Sequence, residues 1–231
     1  MNKIMMMAAL VAGVGFASGC STTGGASKDV VGEWQKERCS CELVQPTVTH
    51  PAAKAGVVAL APVASGLYKT TCDYVDKVAA TDRGRRIYIG YVNDVKAKVE
   101  AGKSKADAEA EVRAAITPEQ KKLVDEYLAA VKTSNFDVLL AAGQKLLADI
   151  ADATLKVTNE GVKLADSLAK DKKLSENVFA LAAETSKLTG DLDKIKDQLV
   201  DAGVGAKLYV QLVTDDQKAA KEYMADYPIE G

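Results

Sequence analysis

From Phe136 to Leu168 the apolar and small residues advance in alternating steps of four and three: Phe136, Leu140, Gly143, Leu147, Ile150, Thr154, Val157, Gly161, Leu164 and Leu168. A repeat of this period draws one apolar seam along a helix and predicts a single helix of about 35 residues, about 50 Å long. Gly143, Thr154 and Gly161 are small, so a neighbouring helix can come close there. Asp171-Lys172-Lys173 interrupts the pattern. Ser175 then predicts the cap of a second helix, with its seam at Val178, Leu181, Thr185, Leu188, Leu192, Ile195 and Leu199 and a stop at Gly203. Two long amphipathic helices joined by a short charged turn imply an antiparallel hairpin.

The rest of the chain also reads as helix. Ala53–Ala80 reads as one or two helices with a bend at Pro62, and carries Val57, Leu60, Leu67, Tyr68, Cys72 and Val75 at helical spacing. Asp82 is the expected N-cap of the next helix, which Gly102 ends. Arg86–Val92 suits a strand by composition, but no partner strand is evident nearby, so helix is expected. Ser104 with Asp107 predicts a helix start, and Thr117-Pro118-Glu119-Gln120 predicts a stronger one, with Thr capping and Pro in the first helical position. Ile116-Thr117-Pro118-Glu119-Gln120 also resembles the LTxxQ motif of small periplasmic helical stress chaperones. A good helix start needs the same residues, and no function is carried over from the resemblance. Leu208–Val213 suits either a strand or a helix, and Thr214 with Gln217 predicts the start of a last helix. The stretch from Glu119 to Tyr227 has no proline, as long helices require. The expected fold is mainly α: an antiparallel helical bundle built around a long heptad-patterned hairpin.

At the N-terminus, Lys3 precedes an apolar run from Ile4 to Ala17, and the tetrapeptide Ala17-Ser18-Gly19-Cys20 follows. The run is shorter than the roughly 20 apolar residues a membrane span needs. A basic start, a short apolar stretch and small residues before a cut describe a secretory signal. With cysteine closing it, the segment resembles the lipobox of bacterial lipoproteins, departing at Ala17, where that family prefers Leu. The resemblance implies cleavage before Cys20, diacylglycerol on its sulfur and acylation of the new amine. Ser21, rather than Asp, implies sorting to the outer membrane, with the domain facing the periplasm or the cell surface. The expected organisation is a signal peptide over 1–19, an anchor, tether and irregular segment over 20–52, and a helical bundle over 53–231.

Composition narrows the function more than it names it. The chain has 231 residues, with Lys+Arg 30 against Asp+Glu 32, which gives no reason to expect nucleic acid. The one dense basic spot, Arg83-Gly84-Arg85-Arg86, reads as a solvated helix start or a contact for anionic groups. Apart from Cys20 there are three cysteines, Cys39, Cys41 and Cys72. One bridge from Cys39 or Cys41 to Cys72 is expected in an oxidising envelope. It would close a loop of about 30 residues and contribute about 3–4 kcal/mol in the chain-entropy model. Cys39-Ser40-Cys41 lacks the two-residue spacing of redox and zinc motifs. His50 is the only histidine, and no nucleophile, dinucleotide or phosphate-loop motif occurs. No catalytic residue, cofactor or metal site is expected. The best reading is a lipid-anchored envelope protein that acts as a structural or assembly component, bound to the membrane through Cys20 and to a protein partner or to itself. The alternative is a carrier or chaperone for lipid or other apolar ligands.

Overall fold

A computed structural model describes residues 30–38 and 42–229. The elements in order are α1 (Val30–Arg38), an extended segment over 42–50, α2 (Pro51–Ala79), α3 (Asp82–Glu100), α4 (Lys105–Ala114), α5 (Pro118–Thr133), α6 (Phe136–Lys170), α7 (Lys172–Ser175) and α8 (Val178–Lys218). A π-helical turn over Ala219–Tyr223 follows. The chain is mainly α, with no strand among the described residues. Arg86–Val92 lies inside α3 and Leu208–Val213 inside α8.

The hairpin forms the body of the molecule. α6 has the expected 35 residues. A Cβ at Gly143 would stand 2.6 Å from Val210 Cγ2, and one at Gly161 would stand 3.0 Å from Leu192 Cδ1. These are the close approaches that small residues on the seam allow, and they set α6 antiparallel to α8. Gly56 of α2 faces Leu164 of α6, so α2 is also antiparallel to α6 and runs parallel to α8. The three long helices therefore pack as a bundle. Because α6 contacts two helices, its buried face is broader than one seam, and Leu146 and Ala153 are buried where the heptad placed Leu147 and Thr154.

Several boundaries differ from expectation, each for a local reason. Thr81, not Asp82, occupies the N-cap of α3, and Asp82 turns its carboxylate to Arg85 and Arg86 instead. Asp171 caps the short α7 and Asn177 caps α8, so Ser175 ends a helix rather than starting one. Gly203 stops nothing: α8 continues for 41 residues. Thr214 lies within it, its hydroxyl donating to the Val210 carbonyl at 2.8 Å rather than capping a new helix. Residues 30–38, expected to be irregular, form α1. The capping box at Thr117 and Gln120 is present as predicted, and Ser104 caps α4. Gly102 adopts φ 95°, the left-handed turn that ends α3.

Three apolar clusters follow one another along the molecule. The first joins Val57, Leu60, Val157, Leu188, Ile195 and their neighbours of α2, α6 and α8. The second gathers around Trp34, Tyr68, Val75, Ile150, Tyr209 and Val213. The third is a tyrosine-rich module of α3, α4, α5 and the C-terminal segment, with Tyr88, Tyr91, Val95, Val124, Tyr127 and Ile229 at its centre. Tyr88 and Tyr91 donate to the carbonyls of Tyr227 and Pro228, each at 3.3 Å, which pins the C-terminal segment onto the module.

Candidate interaction surface

Among the residues singled out by sequence, Cys20, Cys39 and Cys41 lie outside the described residues. Cys72 sits on α2, 8% exposed, in the cluster around Trp34 and Tyr68. His50 is the N-cap of α2: its Nδ1 accepts from the Ala53 amide, and its Nε2 lies 3.4 Å from Asp171 Oδ2. It therefore ties the start of α2 to the start of α7. The basic tetrad does not form a patch. Arg85 is 4% exposed and fully engaged, and Arg86 pairs with Asp82.

Two buried acids on α8, Glu184 and Asp191, hold the extended segment. Asp191 accepts from the Thr47 amide at 2.7 Å, the Val48 amide at 3.0 Å and the Thr47 hydroxyl at 2.8 Å. Glu184 accepts from the Thr49 and His50 amides at 2.7 and 2.9 Å and from the Thr49 hydroxyl at 2.7 Å. An extended segment has no helix to satisfy its amides, so the carboxylates supply the acceptors. Lys187 first, and then Thr49, stabilise the charged form of Glu184 and hold its pKa down at about 2. Sequence reasoning missed this clamp. Its signal was two acids seven residues apart beside an apolar seam, opposite the alternating threonines of Thr47-Val48-Thr49.

A second buried polar cluster joins the tyrosine module to the long helices. Arg85 donates to both oxygens of Asp216 on α8, at 2.7 and 3.0 Å, to Asp82 at 2.7 Å and to the Val78 carbonyl of α2 at 3.3 Å. Tyr127 of α5 donates to Asp216 at 2.9 Å. Burial works against the Arg85 charge, but the hydrogen bond and charge of Asp216, with Asp82, outweigh it and raise its pKa. Burial, then the Asp216 charge, pushes the Tyr127 hydroxyl far above its ordinary pKa, so it stays a donor. The cluster is closed over its own partners and serves as a joint.

The outward faces carry what the interior does not use. On α2 the exposed positions between Lys54 and Lys69 are Ala55, Val58, Ala59, Pro62, Val63 and Gly66, with no charge among them, and Val58 is 52% exposed. On α6, Leu155 and Val162 are 63% and 68% exposed. At the start of α8, Phe179 is 89% exposed beside Val178, and Lys170, Lys172 and Lys173 stand exposed nearby in sequence. An open depression of about 390 Å³, lined by Thr133, Asn135, Phe136, Asp137, Gln217 and Lys221, lies where α5, α6 and the π turn meet. Among the described residues, no group of three or more His, Cys, Asp or Glu side chains is placed to hold a metal ion. No described helix is long and apolar enough to cross a membrane. Comparison with protein-family models, curated proteins and solved structures finds no match.

Proposed function

We propose that this chain is a lipid-anchored protein of a bacterial envelope that works as a structural or assembly component, docking other protein chains on the outer faces of a stiff helical bundle. The observation that carries this reading is the set of apolar residues left exposed in rows on α2 and α6 and at the start of α8. Scattered exposed apolar residues are ordinary, whereas ordered rows on rigid elements mark docking faces. The signal resemblance at Ala17-Ser18-Gly19-Cys20 supports the location, the outer membrane on its periplasmic or surface side. Acylation of both the sulfur and the amine of Cys20 would give stable anchoring where a single chain would not. The small-residue stretch Ser21–Lys28 suits a tether between lipid and bundle.

The test is intact mass of the membrane-fraction protein, with crosslinking in the native envelope beforehand. The expected product starts at Cys20, carries added acyl mass and crosslinks repeatedly to a protein partner. Replacing Cys20→Ala should leave an unprocessed chain without acyl mass. An unmodified wild-type chain overturns the anchored reading, and a lipidated chain that never crosslinks to protein overturns the assembly role.

A further inference from the structure

α6 has two seams. The inner one packs on α2 and α8. The outer one runs Gln144, Ala148, Ala151, Leu155, Thr158, Val162, Ala165 and Ala169, again in alternating steps of four and three, and every one of these residues is exposed. Gln144 and Thr158 are its only polar members, and the Thr158 hydroxyl already donates to the Thr154 carbonyl at 2.9 Å. The outer seam lies one residue, about 100°, round the helix from the inner one, and a helix with a second apolar heptad can take a further helix there. Among the described residues only the inner seam is covered.

We propose that the outer seam of α6 pairs with the same seam of a second copy of this chain, antiparallel, about a two-fold axis between positions 156 and 157. This gives the assembly role a partner and rests on that reading for its place in the envelope. The register follows from two kinds of complementarity. It sets Leu155 against Thr158, Val162 against Ala151, Ala148 against Ala165 and Gln144 against Ala169 of the second copy, so that Leu155, Val162 and Gln144 each face a smaller residue. It also brings Lys145 beside Asp166 of the second copy, and Asp152 beside Asn159, each twice by symmetry. These four side chains are exposed and flank the seam on one side. Sliding one copy by a heptad in either direction removes the match. One slide puts Asp152 against Asp152, and the other puts Asp152 against Asp166. Charges at flanking positions select partner and register in just this way. Within one chain Lys145 and Asp166 pair with Asp149 and Lys170, exposed pairs that cost little to rearrange.

The anchor is compatible with this geometry. Trp34 of α1 lies against Gly205, and the nearby Gly203 faces Ile150 of α6. The chain therefore enters the bundle at a level about 10 Å along α6 from the proposed axis, at the helical rise per residue. The first described helix of each copy then lies near the middle of the assembly rather than at its two far ends.

The experiment is native mass spectrometry and sedimentation of the full lipidated chain in mild detergent, with far-UV circular dichroism as the folding control. The wild type is expected to be a dimer. Leu155→Asp with Val162→Asp, at sites exposed in the monomer, should yield a folded monomer. Lys145→Glu alone and Asp166→Lys alone should each weaken the dimer about tenfold, since each turns two attractive contacts repulsive. Lys145→Glu combined with Asp166→Lys should restore it. A monomeric wild type overturns the pairing, as does a dimer indifferent to both kinds of substitution. A monomeric wild type that still crosslinks to a different envelope protein overturns self-pairing and leaves the assembly role standing.

Discussion

The Trp34 ring lies against α8 at Gly205, where no side chain intervenes. A Cβ on Gly205 would stand 2.2 Å from Trp34 Cζ2 and 2.5 Å from Thr71 Cγ2. Gly205→Ala should therefore destabilise the fold by about 1–2 kcal/mol. The overpacking cost of about 1–3 kcal/mol exceeds the gain of about 1 kcal/mol from replacing a mid-helix glycine. Gly190→Ala is the matched control, because a Cβ there meets nothing within 4 Å. It should stabilise by about 1 kcal/mol through helix propensity alone. Urea titration followed through the single tryptophan reads both, and Gly205→Ala should also shift Trp34 emission to the red. This pair shows what was hidden at the residue scale. Gly203 looks like a helix stop when read locally, yet the helix runs on through it, and a Cβ there would meet only Ile150 at 3.9 Å. Gly205, two residues on, leaves the space that a ring from far upstream occupies, and nothing within a turn or two of chain announces it.

Elements divide in the same way. Capping at Ser104 and Thr117 and the length of α6 were legible, because such signals are written within one turn or one repeating seam. α1 was missed, having only a weakly amphipathic sequence, and the clamp on the 42–50 segment was missed because its two halves are more than a hundred residues apart. The clamp is sensitive to pH. Glu184 has its pKa lowered from an ordinary 4.5 to about 2, so its contribution is present above pH 4.5 and is lost as pH falls toward 2. Protection factors of the Thr49 and His50 amides, taken against the intrinsic exchange rate at each pH, should fall through that window before those of the long helices do. In Glu184→Gln the protection should already be low at neutral pH and should vary little through the same window.

At the scale of the molecule, three clusters follow one another, and the Arg85–Asp216–Tyr127 joint fastens the last to the others. Removing Asp216 takes two hydrogen bonds from buried Arg85, which keeps Asp82 and the Val78 carbonyl, and leaves the buried Tyr127 hydroxyl without its acceptor, at a cost of up to about 3–5 kcal/mol. In the wild type, the tyrosines of the third cluster and Trp34 of the second should lose their native signals together. In Asp216→Ala the tyrosine transition should move to lower denaturant and separate from that of Trp34. A single coincident transition in the variant would show that the module is held by its apolar contacts alone. The bundle class was readable from periodicity. The joint was not, since Asp216 sits in the charged run Asp215-Asp216 and looks like solvated surface.

α8 passes through all of this without a break, from exposed Phe179 at one end to Asp216 at the other. At 1.5 Å per residue, its 41 residues make a strut of about 60 Å. A load on the Phe179 end has no hinge in which to dissipate before it reaches the carboxylate that holds Arg85. The first change in its hydrogen-bond ladder is the π turn at Ala219–Tyr223. A push at the far tip therefore travels the length of one helix before it meets that turn and the tyrosine module beyond it.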